Sequence, residues 1–178
     1  MIGGLSCGFA GRVSPFRLGF SNAPTPLSLH SPVPPGPDRP PHVVLDTNVV
    51  MDWLVFRNPA LQPLVAALES GRVQWIATAS MRHELAHVLG RGVASAYSPD
   101  LTAIDAAWAR LARLVDEPPA AALPRLRCTD RDDQKFVELA LHGARWLVTR
   151  DRAVLRLAKR ARAWGVAFTT PERWVAPD

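Results

Sequence analysis

The chain has little cysteine: Cys7 and Cys128 are the only two, and they lie far apart. This argues against a disulfide framework and against a CxxC metal site, and it fits a reducing compartment. No stretch approaches the roughly 18 apolar residues of a membrane span. The first charge, Arg12, follows the N-terminal apolar residues instead of preceding them, which is not the order of a signal peptide. We therefore expect a cytoplasmic protein without a membrane segment.

A strong excess of charge is also lacking. The formal net charge is +5, which is compatible with a polyanion-binding enzyme and with many other proteins. Proline, by contrast, is unevenly distributed, because nine of the 17 prolines fall in residues 1–41. We expect this part to be a disordered Pro-rich extension, for which an upstream start-codon assignment is an alternative origin. Residues 42–178 are long enough for one domain with its own core.

From His42 onward, strand and helix patterns alternate. The predicted strands cover 42–46, 72–77, a short segment ending near 126–128, 146–149 and 166–168. The predicted helices cover 47–56, 59–71, 79–90, 99–115, 131–142 and 152–164. Such alternation predicts an α/β fold of three α/β/α layers around a mostly parallel sheet.

Two of the predicted strands end next to an aspartate. Asp46 follows the apolar run Val43-Val44-Leu45, and Asp151 follows the run 146–149. Ligands of open α/β sheets bind beyond the carboxyl ends of the strands, so both charges are expected in one crevice.

Two helical acids are expected to join them. Glu84 borders the apolar face of helix 79–90, and Asp133 lies at the inner edge of the first turn of helix 131–142. Four carboxylates in one pocket repel each other unless a cation neutralises them. Oxygen ligands without cysteine favour Mg²⁺ or Mn²⁺, which polarise a phosphodiester and activate water. The residues therefore indicate metal-dependent phosphodiester hydrolysis, although Glu84 as a solvated residue and Asp133 as a capping acid are alternatives.

These stretches resemble the PIN-domain family of metal-dependent nucleases, in particular its toxin components of toxin–antitoxin pairs. The resemblance runs over roughly 42–175 and rests on 43–50, the helix around Glu84, 128–140 and 147–151. It implies an Mg²⁺- or Mn²⁺-dependent endoribonuclease, a homodimer and an antitoxin protein as partner. By position the catalytic, metal-binding acids are Asp46, Glu84, Asp133 and Asp151, with Asn48 and Thr149 supporting them. Asp130 and Asp132 compete with Asp133 for its role.

Further features bear on substrate and reaction. Four basic residues on one face of the last predicted helix form either an RNA-contacting surface or a solvated face; they are Arg152, Arg156, Lys159 and Arg160. The segment His83-Glu84-Leu85-Ala86-His87 matches the zinc metalloprotease signature H-E-x-x-H, with Glu117 and Glu138 as candidates for a third ligand. The alternatives to a ribonuclease are thus a zinc protease and a non-catalytic RNA- or protein-binding module.

Overall fold

The sheet and its helices are seen in a computed structural model, which describes residues 39–92, 94–119 and 126–177. The five strands are β1 (His42–Leu45), β2 (Gln74–Ala77), β3 (Ala112–Leu114), β4 (Trp146–Val148) and β5 (Ala167–Thr169). Their order in the sheet is β3-β2-β1-β4-β5, and every neighbouring pair is parallel. All the carboxyl ends of these strands therefore lie along the same edge of the sheet.

Helices connect the strands. The α-helices are α1 (Thr47–Leu54), α2 (Gln62–Glu69), α3 (Ala79–Gly90), α4 (Leu101–Leu111), α5 (Gln134–Gly143), α6 (Arg152–Leu155) and α7 (Ala158–Ala161). Short 3₁₀ turns lie at Pro59–Leu61, Ser95–Tyr97, Arg162–Trp164 and Pro171–Arg173. Within the described ranges, no helix combines the length and the apolar character needed to cross a membrane.

The strand order separates the helices into two layers. From β1 the chain moves outward to β2 and β3, and then returns to the other side of β1 to form β4 and β5. Because parallel crossovers are right-handed, these two directions place α1–α4 on one face and α5–α7 on the other. The predicted three-layer α/β/α fold is thereby confirmed. The direction in which successive strands are added to the sheet reverses between β1 and β4, and ligands of such sheets bind at this point.

The central strands are apolar because both faces are covered. Val43 and Val44 on β1 and Leu147 on β4 are completely buried. On the α1–α4 face, Trp75 packs edge to face against Trp108, with 4.5 Å between the ring centroids. The carboxyl ends of β1 and β4 lie side by side in this core, with Leu45 paired to Val148.

Two predictions at the edge of the sheet were wrong. The helix expected over 99–115 ends at Leu111, and the next three residues form β3. The helix propensity of these residues is overridden because β2 has an open edge. At this edge Val115 N–H donates to Ala77 O at 2.9 Å. The residues before Leu126 lie outside the described part of the chain, and the described end of the short strand expected there, 126–128, is not a strand. Its backbone groups bond instead to the side chain of Gln134, which accepts from Cys128 N at 2.7 Å and donates to Leu126 O at 3.1 Å.

Two helices also differ from expectation. The helix predicted from residue 131 begins at Gln134, because the preceding aspartates form a turn in which Asp130 Oδ1 accepts from Asp132 N at 2.9 Å. The helix predicted over 152–164 is divided into α6, α7 and a 3₁₀ turn. Of the predicted extension, residues 1–38 lie outside the described part of the chain, whereas Pro41 O already accepts from Gln74 N at 3.0 Å.

Candidate functional site

Asp46 is an almost completely buried carboxylate at the end of β1, with 2% of its surface exposed. It is the N-cap of α1, and its Oδ2 accepts hydrogen bonds from Thr149 Oγ1 and, at 2.7 Å, from Asn48 Nδ2. Burial raises the pKa of Asp46, and the charge of Glu84 raises it further, while the bonds from Thr149 and Asn48 oppose the shift. A capping role alone does not require this degree of burial.

Thr149 connects the two aspartates that follow the central strands. Its buried hydroxyl donates to Asp46 and accepts from the backbone N–H of Asp151 at 2.9 Å. Asp151 caps α6 through Oδ1, which accepts from Ala153 N and, at 3.1 Å, from Val154 N. Oδ2 of Asp151 takes no part in these two capping bonds.

The connection through Thr149 gives a testable expectation for stability. Thr149→Val keeps the shape of the side chain but leaves the Asp46 oxygen without this donor and the Asp151 N–H without its acceptor. We expect a loss of about 1–3 kcal/mol in the free energy of unfolding, measured by urea denaturation. Thr149→Ser, which keeps the hydroxyl, is the matched control. A valine variant as stable as the serine variant would show that the hydroxyl does not hold the two aspartates.

Glu84 lies on α3, in the α1–α4 layer, and its side chain reaches Lys135 of α5 in the other layer. Its Oε1 accepts a hydrogen bond from Thr47 Oγ1 at 2.6 Å, and its Oε2 forms an ion pair with Lys135 Nζ. The side chain is 24% exposed, and its neighbours Met81 and Leu85 on α3 are buried. Glu84 therefore faces the carboxyl edge, as the apolar pattern of this helix predicts.

Asp133 is sensitive to the charges of the other three acids. It immediately precedes α5 and is half-buried. Its pKa is raised to about 7, mainly by burial and then by the charges of Asp46, Asp151, Asp130 and Glu84. Asp130 and Asp132 are exposed. Of the three competing aspartates, Asp133 is thus the one turned toward the acids at the strand ends.

These acids offer the donors that a hard cation prefers, but they are not gathered around one point. Within the described ranges, no group of three or more His, Cys, Asp or Glu is arranged to hold a metal ion. The oxygens of Asp46 and Glu84 are engaged by protein donors, whereas Asp133 makes no capping bond with its side chain. The repulsion that raises the pKa of Asp133 is what a divalent cation would relieve. The donor chemistry therefore fits Mg²⁺ or Mn²⁺ once the side chains converge.

The zinc-protease motif is explained differently by the structure. His83 and His87 are exposed on α3, while Glu84 between them contacts Thr47 and Lys135. The proposed third ligands are also unsuited, because Glu117 is exposed and Glu138 pairs with Arg127 at 3.0 Å. The absence of a three-ligand group among the described residues applies to these histidines as well.

Sequence reasoning missed three ion pairs at this edge. The carboxylate of Asp52 pairs with Arg150, which also contacts Glu172 at 2.6 Å. This arginine ties α1 to the C-terminal turn beside the site. Lys135 was also missed, although the sequence carried a signal for it. The helix dipole disfavours a cation in the first turn of a helix, so a lysine at that position is unusual.

The four basic residues predicted to contact RNA follow directly on Asp151. Arg152, Arg156, Lys159 and Arg160 are exposed, whereas Val154, Leu157 and Ala161 of the same segment are buried. The helical segment thus packs its apolar side on β5 and leaves its basic side in water. This arrangement is compatible with a phosphate-binding surface and with a solvated face.

Comparison with known proteins agrees with this fold. A search of curated proteins finds no match. A family model described as a PIN domain matches residues 42–153, which is more than half of the chain and contains all four acids. The chain belongs to the PIN-domain family.

Proposed function

We propose that the protein is an Mg²⁺- or Mn²⁺-dependent endoribonuclease, the toxin of a toxin–antitoxin pair. PIN domains are generally nucleases, which act on nucleic acids and typically use divalent metals. The specific assignment to RNA, to a homodimer and to an antitoxin partner rests on the resemblance of 43–50, the helix around Glu84, 128–140 and 147–151 to the toxin branch. The assignment to the cytoplasm rests on the scarcity of cysteine.

One observation carries the proposal: acids from four separate segments share one electrostatic environment. Asp133 has a pKa of about 7 because burial and the charges of Asp46, Asp151 and Glu84 disfavour its ionised form. If these acids served only to cap helices, the fold would not need to bring so much negative charge together. This arrangement is costly for the fold and favourable for cation binding.

The roles of the chain's own residues follow from their contacts. Asp46, Glu84, Asp133 and Asp151 would hold the ion. When bound, a divalent ion neutralises and polarises the phosphodiester and activates water. Asn48 and Thr149 orient the carboxylate of Asp46 by donating to its Oδ2. The exposed arginines and lysine that follow Asp151 would contact the phosphates of the RNA on either side of the bond that is cleaved.

A cleavage assay tests this function. We expect the purified chain to cut labelled single-stranded RNA when Mn²⁺ or Mg²⁺ is present, and to lose this activity with EDTA. Removing the ion leaves the acids to repel the phosphate instead of binding it through the cation. The same preparation incubated with Zn²⁺ and casein serves as a comparison. Cleavage of RNA that persists in EDTA, or casein cleavage that depends on Zn²⁺, would refute the proposal.

A further inference from the structure

The helical segment that follows Asp151 carries a row of exposed side chains that ends at an aromatic ring. Arg152, Arg156, Arg160 and Trp164 follow one another at intervals of four residues, and all four are exposed. The backbone keeps right-handed helical angles where α6, α7 and the 3₁₀ turn join. The spacing therefore places these side chains on one side of the segment, which starts at an acid of the candidate site.

Positive charge prevails along this segment. Residues 152–164 include five cationic side chains and no acidic one. Among the ion pairs of the described ranges, none involves a cation of this segment. A row of cations that are not neutralised by neighbouring acids attracts a polyanion such as the phosphate backbone of a nucleic acid.

Trp164 differs from the other exposed aromatic side chains. It is 52% exposed. Phe56 and Tyr97, the other large aromatic residues exposed in the described part of the chain, pack edge to face with 4.7 Å between their centroids. No aromatic pair found among the described residues includes Trp164. Its ring is therefore available for stacking against a ligand.

A surface pocket of about 330 Å³ lies beside this ring. Among the described residues it is lined by Leu126, Arg160, Ala163 and Trp164. The lining thus combines an aromatic ring and two apolar side chains with one guanidinium. A nucleotide has the matching chemistry, because its base is a flat ring that stacks on tryptophan and its phosphate accepts hydrogen bonds from arginine.

We propose that this pocket binds one unpaired base of the RNA substrate, away from the bond that is cleaved. The inference rests on the proposed function, which identifies the nucleic acid as RNA. The ring of Trp164 stacks on the base, Arg160 donates to the adjacent phosphate, and the other arginines of the row guide the strand toward Asp151. The bases of a duplex are already stacked on their neighbours, so the pocket selects single-stranded RNA.

The length of the segment sets the reach of this subsite. A helix rises about 1.5 Å per residue, so Trp164 lies on the order of 20 Å from Asp151 along the chain of basic residues. The substrate must therefore extend several nucleotides beyond the cleaved bond to fill the pocket.

Tryptophan fluorescence in EDTA tests the pocket without measuring cleavage. A base stacked on the exposed ring quenches its emission, whereas Trp75, Trp108, Trp146 and Trp174 are buried and shielded. We expect a short single-stranded RNA to quench the emission of the wild type and to have far less effect on Trp164→Phe. A wild type that binds labelled RNA without quenching would overturn the inference.

The anisotropy of the labelled RNA gives the affinities of the variants. Trp164→Ala should weaken binding at least about fivefold, as expected for the loss of one stacked base, and Trp164→Phe should stay within about threefold of the wild type. Tyr97→Ala is the matched control, because it removes an exposed aromatic ring that lies outside the basic segment. Its affinity should equal that of the wild type. Equal affinities of the alanine and phenylalanine variants at position 164 would contradict the proposed subsite.

The results also separate this inference from the proposed function. A protein that binds RNA with quenching but does not cleave it in Mn²⁺ refutes the proposed function and supports the pocket. Cleavage by a wild type whose RNA affinity is unaffected by Trp164→Ala overturns the pocket alone. If that variant binds RNA normally but loses self-association in sedimentation, the surface is an interface between copies of the chain, and the inference is likewise overturned.

Discussion

Asp46→Asn is expected to reduce RNA cleavage on the order of 10³-fold, because charge stabilisation by a metal ion is worth several kcal/mol in the transition state. The substitution removes the charge that is centrally placed between β1 and β4 and leaves the shape of the side chain nearly unchanged. The rate of cleavage of a labelled RNA in the presence of saturating Mn²⁺ measures the effect.

The fold should tolerate this substitution. The amide oxygen of asparagine can accept the two hydrogen bonds that Oδ2 receives from Thr149 and Asn48. The other carboxylate oxygen contacts Asn48 N only at 3.4 Å, so little is lost there. Because burial raises the pKa of Asp46, a neutral side chain also removes an electrostatic cost. We expect the variant to melt at or above the temperature of the wild type when no divalent ion is present.

Asp105→Asn is the matched control for the loss of one negative charge. Asp105 is an exposed residue of α4 whose carboxylate pairs with Arg82, and it has no contact with the acids at the strand ends. Its substitution should leave cleavage within about twofold of the wild type, since exposed ion pairs contribute little. If Asp46→Asn cleaves as fast as Asp105→Asn, the acid at the end of β1 is not part of the catalytic site.

Most of the fold follows from local pattern. Buried runs such as Val43-Val44-Leu45 specify β1 and its central position, because only a strand covered on both faces is so apolar. The pattern fails where a non-local contact decides. Ala112, Arg113 and Leu114 form an edge strand because β2 has an open edge, which their own preferences do not indicate.

The candidate site, like the fold, is predictable from the sequence only in part. The strand-end position of Asp46 and the inward face of Glu84 are readable from the spacing of apolar residues. The choice of Asp133 over Asp130 and Asp132 depends on where α5 begins, and helix starts are the least readable feature of a sequence. Lys135 was overlooked because its partner, Glu84, is on the opposite helical layer, so that no local pattern connects them.

The stability of the metal-free protein should fall as the pH rises from about 5 to about 8, in part because of Asp133. Its pKa is raised from the ordinary 3.8 to about 7 in the folded state. Between these values the folded chain binds a proton that the unfolded chain has released, so the free energy of unfolding decreases with increasing pH. The stabilisation is complete below the unfolded pKa and is lost as the pH passes through the folded one. This is opposite to the usual behaviour of an aspartate in a salt bridge.

The size of the effect follows from the shift. One pKa unit corresponds to about 1.4 kcal/mol, which gives an upper bound of about 4 kcal/mol for Asp133. The side chain is only half-buried, and solvent screening reduces the expected change to the order of 1–2 kcal/mol. Urea denaturation in EDTA at several pH values measures it, as the difference between the wild type and Asp133→Asn. The asparagine variant has no charge to repel, and it should therefore be the more stable protein at about pH 8.

Two comparisons, with Asp132→Asn and with added Mn²⁺, distinguish the electrostatic repulsion at Asp133 from a general effect of losing one acidic side chain. Asp132 is exposed one residue away, so its substitution should leave the pH dependence of the wild type unchanged. Mn²⁺ should raise the melting temperature of the wild type at about pH 8 more than that of Asp133→Asn, because a ligand bound only by the folded state stabilises it. The repulsion among the acids that destabilises the metal-free fold then also favours cation binding. A wild type whose metal-free stability rises with pH relative to Asp133→Asn would contradict this coupling and remove the main support for a cation site.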